Sequence, residues 1–269
     1  MPNAPSQVAK HTLQSHLEEL DILGFTVIEN VLPAEQIEVI RSKMDAIYEA
    51  DIAHFGIEKL TAIRELGTLR FMMVADRYFL QLLAVPTVLT IMEAQLGPAC
   101  IVHLQNGIIL LPQKQHQQAA FHQDYRRWMD GYTVSYNAFF LIDDFTVENG
   151  GTYVVPATHR LETQPSDEFL SKHAHQVTGS AGSVLFFNSR LWHKGGSNLT
   201  DKPRRAMNTQ YTYSYLRPQV DYAHCLPEEE YADLPERIQQ LMGRFVRLPK
   251  SSDEFRVPAE ERLYRAGQG

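Results

Sequence analysis

Apolar positions change their rhythm about a third of the way along the chain. Early on they recur at three- and four-residue steps: Ile37, Ile40, Met44 and Ile47 share one face of a helix opened by Pro33. A second helical stretch is predicted over residues 76–96, interrupted at Pro86 and closed by Gly97. Between the chain start and the first of these, Gly24-Phe25-Thr26-Val27-Ile28 reads as one short strand. From residue 101 the pattern becomes that of strands. Residues 101–111, 134–142, 152–155, 183–187 and 206–215 are rich in β-branched and aromatic side chains. Turn signals separate them: Asp130-Gly131, Asn149-Gly150-Gly151, Ala181-Gly182 and Gly195-Gly196. Short strands at this spacing suggest a sandwich or jelly roll. Residues 227–248 return to helix, and the last stretch reads as charged surface. One domain over residues 1–269 is therefore expected, mainly β with flanking helices. It divides into a mainly helical lead (1–100), a jelly-roll core (101–216) and a C-terminal helical cover and tail (217–269).

A net charge of −7 argues against nucleic acid or an anionic membrane as the main partner, since either wants a basic surface. The only cysteines, Cys100 and Cys225, form neither a disulfide framework nor a Cys-x-x-Cys metal site. Residues 1–14 lack the apolar segment of a signal peptide, and no apolar run reaches membrane-spanning length. The expectation is a cytoplasmic protein acting on a small molecule, with no membrane and no nucleic-acid partner; oligomeric state is left open.

Candidate chemistry starts at Phe121-His122-Gln123-Asp124. On a strand, residues two apart face one side, so His122 and Asp124 can reach one metal ion. With 11 His and 32 acidic residues, roughly one such His-x-acid arises by chance. Indeed His16-Leu17-Glu18 is one, read as helix surface. A second histidine changes the balance. His193 stands 69 residues after Asp124, between the apolar run Val184-Leu185-Phe186-Phe187 and the turn at Gly195-Gly196. Two imidazoles and one carboxylate make the facial triad of non-haem Fe(II) enzymes, which leaves three adjacent coordination positions open.

Arg204 follows 11 residues after His193, at the entry to the last long strand. A guanidinium there can grip a carboxylate in a two-point fork that lysine cannot copy. Along residues 206–215, strand alternation sends Arg204, Ala206, Asn208 and Gln210 one way, and Arg205, Met207, Thr209 and Tyr211 the other. Asn208 and Gln210 suit a wet cavity better than a core, so Arg204 is preferred over Arg205 as the anion clamp.

In this combination the chain resembles the phytanoyl-CoA hydroxylase family of 2-oxoglutarate oxygenases over most of its length. Gly24-Phe25-Thr26-Val27 with Leu32-Pro33-Ala34-Glu35 is similar to the family's opening strand and helix. Phe121-His122-Gln123-Asp124 matches its first metal motif. Asp143-Asp144, Glu148-Asn149-Gly150-Gly151-Thr152 and Val155-Pro156-Ala157-Thr158-His159-Arg160 resemble its middle segment. Trp192-His193 through Asn198, then Thr200 and Arg204-Arg205, match the distal motif, and Leu241-Met242-Gly243 is similar to its C-terminal helix.

The resemblance implies a double-stranded β-helix, a cupin-like jelly roll with helices packed outside. It implies Fe(II) on His122, Asp124 and His193, with 2-oxoglutarate and O2 as cosubstrates and Arg204 holding the distal carboxylate of 2-oxoglutarate. Thr200 stands where the family often has a Ser or Thr assisting that carboxylate. The implied reaction is hydroxylation of a small molecule, such as a secondary metabolite or an acyl or amino-acid derivative, with release of succinate and CO2. Asp124 is intact, which separates the chain from iron halogenases that carry Gly or Ala there. Gln105 and Asn137 are candidates for contact with the cosubstrate, or for structural hydrogen bonds. Trp192 and Phe140 are candidates for the pocket wall. Arg126 or Arg127, just after the metal motif, is a candidate for an anionic group on the substrate. His173 and His175 are read as surface. The alternatives are a jelly-roll protein that binds a metal or ligand without turnover, and an oxygenase whose outcome is desaturation, epoxidation or cyclisation.

Overall fold

The computed structural model describes residues 7–115, 118–244 and 251–261. Its centre is a six-stranded antiparallel sheet built from β1 (Phe25–Ile28), β2 (Thr68–Leu69), β3 (Ile101–Leu110), β5 (Ser135–Leu141), β8 (Val184–Asn188) and β11 (Arg204–Thr212), in the order β1-β8-β5-β11-β3-β2. Facing it are short pieces: β4 (Lys114–Gln115) with β10 (Ser197–Asn198), and β6 (Tyr153–Val154) between β7 (His175–Gln176) and β9 (His193–Lys194). This is the jelly roll expected from the strand spacing.

Alternation along the long strands divides two cores. Tyr136, Ala138 and Phe140 of β5, Val184 and Phe186 of β8, and Met207 and Tyr211 of β11 face the helices. Phe139, Leu141, Leu185, Phe187 and Ala206 face inward, onto Phe145, Val154 and Leu191 of the opposing layer.

The helices cover the outer face. They are α1 (Gln7–Ile22), α2 (Ala34–Phe55), α3 (Ile57–Ala62), α4 (Met72–Ala75), α5 (Tyr78–Gln81) and α6 (Pro86–Leu96). The predicted face of α2 is the buried one, carrying Ile37, Ile40, Met44 and Ile47. Arg205 fastens this layer to the sheet: it forks onto Asp45 of α2 at 2.7 and 2.8 Å and reaches Asp143 at 3.0 Å.

The N-terminal lead matches its expected interruption and adds one strand. The predicted helical stretch is interrupted at Pro86: α5 and a short 3-10 turn (Leu82–Ala84) precede Val85, and Pro86 begins α6 at its first turn, where a missing N–H costs nothing. β1 falls on the short strand expected at residues 24–28, whereas β2 has no counterpart among the expected strands; the two form the edges of the main sheet. Beyond the core come α7 (Asp167–His173), α8 (Glu228–Ala232) and α9 (Glu236–Leu241), then the short α10 (Ser252–Phe255). The predicted C-terminal helix to residue 248 and the charged tail fall partly outside the described residues. No single helix among the described residues is long and apolar enough to cross a membrane.

Candidate metal centre

His122 and His193 face each other across an antiparallel bridge: each backbone N–H donates to the other's carbonyl, at 2.9 and 3.0 Å. The bridge brings a loop histidine beside one on β9, which no sequence spacing alone requires. Asp124 lies two residues on, its Oδ1 3.7 Å from Nε2 of both histidines. Among the described residues these three form the one cluster of metal-capable side chains, with ligand atoms all within 4.8 Å.

The donor set suits a divalent transition metal. His122 Nδ1 lies 3.0 Å from the carbonyl of Ala120, and His193 Nδ1 lies 2.9 Å from that of Leu191. A carbonyl can only accept, so both rings carry their proton on Nδ1 and turn the Nε2 lone pair toward Asp124. Burial, then the neighbouring imidazole of His193, lower the pKa of His122 to about 4 against the opposing pull of Asp124, so its ring is neutral. Its Nε2 is buried and has no hydrogen-bond partner.

A polar chain supports the carboxylate. Asn137 Nδ2 donates to Asp124 Oδ2 at 3.1 Å and to Ser189 Oγ at 3.0 Å. Asn208 Nδ2 donates to Asn137 Oδ1 at 2.9 Å, and Gln210 Nε2 reaches Ser189 Oγ at 3.0 Å. Arg190 steadies the loop after Asp124. It donates to the carbonyls of Arg126 (3.0 Å) and Leu161 (2.7 Å), and its guanidinium lies 4.9 Å from the Trp128 ring centre.

The triad opens into a cavity of about 430 Å³ whose wall includes Arg204, Asn208, Gln210, Phe139 and Phe187. Arg204 is 2% exposed and stacks over Phe145 at 4.2 Å. Nη2 donates to the carbonyl of Gly150 at 3.1 Å, while Nε and Nη1 have no partner. Burial pulls its pKa down to about 9, partly countered by Asp143. A buried guanidinium with two idle nitrogens is incomplete without an anion.

The backbone behind it is held close by glycine. Gly150 sits at φ +84, and a Cβ there would lie 2.7 Å from Leu110 Cδ2. The cavity face of β11 is the predicted one: Arg204, Asn208 and Gln210 line it, whereas Arg205 points to α2.

Other expected site residues lie elsewhere. Gln105 is on the far face of β3, bonded to the carbonyl of Phe79, because strand alternation sends its neighbours Leu104 and Asn106 to the cavity. The hydroxyl of Thr200 closes a turn, 2.7 Å from Asn198 Oδ1 and 3.1 Å from the carbonyl of Lys202, and the residue is off the cavity wall. Asn137 supports Asp124 through the hydrogen bond described above. Trp192 points away from the cavity that its neighbour His193 lines, and Phe140 packs toward the helices, leaving Phe139 as the wall residue. Arg126 and Arg127 are exposed and off the wall. His173 and His175 are exposed, as read.

Three contributors carried no signal in the sequence. Arg190 and Ser189 act through backbone and side-chain contacts across long sequence gaps. The segment from Ile63 to Arg70 reaches the cavity only because β2 pairs with β3.

Comparison with known proteins agrees with this arrangement. An uncharacterised protein of Mycobacterium tuberculosis is 38% identical over 98% of this chain and 99% of its own. The dioxygenase andF of Emericella variicolor is 26% identical over 83% of this chain and 82% of its own. Among solved structures, EctD from S. alaskensis with bound Fe superposes with a TM-score of 0.63 at 18% identity, covering 81% of this chain and 82% of that one. The same protein with 2-oxoglutarate and 5-hydroxyectoine gives 0.61 at 21% identity, covering 79% and 78%. At such identity these two speak for the fold. The family model for phytanoyl-CoA dioxygenase (PhyH) matches residues 21–206. That span is more than half of the chain, which therefore belongs to the phytanoyl-CoA dioxygenase family, non-haem iron dioxygenases that use 2-oxoglutarate.

Proposed function

We propose that the protein hydroxylates a small organic molecule, with Fe(II) held by His122, Asp124 and His193 and the distal carboxylate of 2-oxoglutarate held by Arg204. The observation that carries this reading is Arg204 itself, whose Nε and Nη1 are buried and unpartnered in the cavity that the triad lines. When bound, iron and 2-oxoglutarate supply the oxidising chemistry: O2 is consumed, 2-oxoglutarate is cleaved to succinate and CO2, and one oxygen atom enters the substrate.

The protein supplies position and environment. The carbonyls of Ala120 and Leu191 fix both imidazoles with Nε2 inward, and Asn137 holds the second carboxylate oxygen of Asp124. Arg204 offers a planar fork in a dry site, with Phe145 against its face, which favours a carboxylate over a point anion. Phe139, Phe187, Leu104 and Ile108 line the same space with apolar surface and limit water. The EctD structures with iron and with 2-oxoglutarate support the assignment by analogy of fold.

The test is an anaerobic titration of metal-free protein with Fe(II) and 2-oxoglutarate, read by the weak visible charge-transfer band of the chelate. The band should appear in wild type, vanish in His193→Ala, and require far more 2-oxoglutarate in Arg204→Ala. Tight iron binding with no band in wild type would refute the assignment.

A further inference from the structure

We infer that Arg64 anchors a carboxylate on the substrate, which makes the substrate class a small organic acid. The inference rests on the iron and 2-oxoglutarate assignment above and adds the group that the remaining cavity is built to recognise.

Arg64 occupies a position that its side chain does not favour. The helix α3 ends in a Schellman turn. The N–H of Glu65 donates to the carbonyl of Leu60 at 2.8 Å, and that of Arg64 to Thr61 at 3.1 Å. The residue in the left-handed conformation of this turn is normally glycine, because a Cβ there crowds the following carbonyl. Here it is arginine, at φ 59. Backbone strain of this kind points to a function for the side chain.

Its surroundings say which function. Arg64 lines the cavity shared by the triad and Arg204. Among the described residues its guanidinium has no ion pair or hydrogen-bond partner, whereas the neighbouring Arg70 is forked onto Glu65 at 2.8 and 2.7 Å. The ionisable side chains on the wall are Arg64, Glu65, Arg70, Arg204 and the triad.

Charge can therefore be followed around the cavity. Glu65 and Arg70 cancel. A divalent iron and Arg204 are balanced by Asp124 and the two carboxylates of 2-oxoglutarate. Arg64, exposed at the cavity mouth, is left as one uncompensated positive charge on a wall of mixed polarity, with Ile63 beside it and Leu104, Ile108, Phe139 and Phe187 further along. A single carboxylate matches the guanidinium fork in charge and shape. Arg126 and Arg127 lie off the wall and cannot substitute for it.

The experiment pairs carboxylates with their neutral amides: butyrate, hexanoate and phenylacetate against butyramide, hexanamide and phenylacetamide. Each is titrated anaerobically into the Fe(II)-loaded protein in saturating 2-oxoglutarate, so that Arg204 is occupied, and the thermal midpoint is followed. At least one acid should raise the midpoint where its amide does not. In Arg64→Gly its apparent affinity should fall by about tenfold or more. The unliganded midpoint of Arg64→Gly should equal or exceed wild type, since glycine suits the turn. Arg64→Lys should recover part of the preference, keeping the charge without the fork.

No preference for acid over amide in wild type overturns the inference, as does a preference that survives in Arg64→Gly. A lowered unliganded midpoint in Arg64→Gly also overturns it, because the side chain would then be a strut for the turn. The chelate band, read in the same samples before any acid is added, keeps the two proposals apart. Its absence in wild type refutes the cofactor assignment; its presence without an acid preference refutes the role of Arg64 alone.

Discussion

Replacing Asn137 by leucine removes the hydrogen bonds beneath the metal-binding carboxylate while keeping a side chain of similar size that admits little water. In wild type, Nδ2 lies 3.1 Å from Asp124 Oδ2 and 3.0 Å from Ser189 Oγ, and Oδ1 accepts from Asn208 at 2.9 Å. A hydrogen bond to a charged acceptor contributes about 1.5–3 kcal/mol. If that energy is what holds Asp124 in its ligating position, metal affinity should fall roughly ten- to a hundredfold. Stability should fall too, by about 1–3 kcal/mol, because the half-buried Asn208 amide loses its acceptor. For a domain of this size each kcal/mol moves the melting midpoint by about 2–4 °C. The two effects separate experimentally. Mn(II) affinity is measured by competition with a chelating dye at a temperature where circular dichroism shows the variant folded, and stability by thermal denaturation of the metal-free protein. A folded Asn137→Leu protein whose Mn(II) affinity lies within about threefold of wild type would refute the reasoning and make the amide a packing group.

Two further changes test the framework around the site. Arg205→Met breaks the fork onto Asp45 and the contact with Asp143, with the arginine side chain 16% exposed. It should cost about 1–3 kcal/mol in urea denaturation, less than a fully buried pair, and leave 2-oxoglutarate affinity unchanged. A large loss of 2-oxoglutarate affinity instead would reverse the roles assigned to the two adjacent arginines. Gly150→Ala forces a Cβ into a φ of +84, toward Leu110 Cδ2. It should cost about 1–2 kcal/mol from the backbone, with repacking on top. It should also weaken 2-oxoglutarate binding, because the Gly150 carbonyl orients Arg204. Normal stability together with normal 2-oxoglutarate titration would show that this close approach is not needed.

What the sequence disclosed follows from periodicity. The inward and outward faces of β11 were legible because alternation is a local property, and it placed Arg204, Asn208 and Gln210 on the cavity side and Arg205 opposite. The same rule does not say which face of a given strand meets the cavity. On β3 the cavity receives Leu104, Asn106 and Ile108, so Gln105 lies behind the sheet although its residue type suited the site. The order of His122, Asp124, His193 and Arg204 could be read, but the bridge between His122 and His193 could not, since it joins segments about seventy residues apart through the layer opposite the main sheet. Arg64 was invisible for a different reason. No residue pattern in the sequence marks its left-handed turn, and only the pairing of Thr68 and Leu69 with β3 carries that turn to the cavity.

The distribution of unsatisfied polar atoms explains why such a site persists in a β core. The buried side-chain atoms without a partner include Asn106 Oδ1, His122 Nε2, Arg204 Nε and Nη1, and Asn208 Oδ1, all on residues lining one cavity. Each costs free energy on folding, and apolar residues of equal size would pack the same sheet more stably. The inward face of the sheet shows that alternative in place. Leu141, Leu185, Phe187 and Ala206 pack into an apolar core alongside the polar wall formed by Asn137, Ser189, Asn208 and Gln210. A sequence selected for folding alone would extend the apolar pattern across both regions. The polar region is therefore explained by what binds there, and its geometry points to two kinds of guest. Inward imidazole nitrogens beside a carboxylate match a metal cation, and a planar fork of idle N–H groups matches a carboxylate. On this reasoning metal and 2-oxoglutarate should stabilise the protein together more than either does alone, since the chelate joins the unsatisfied groups of the triad to those of Arg204.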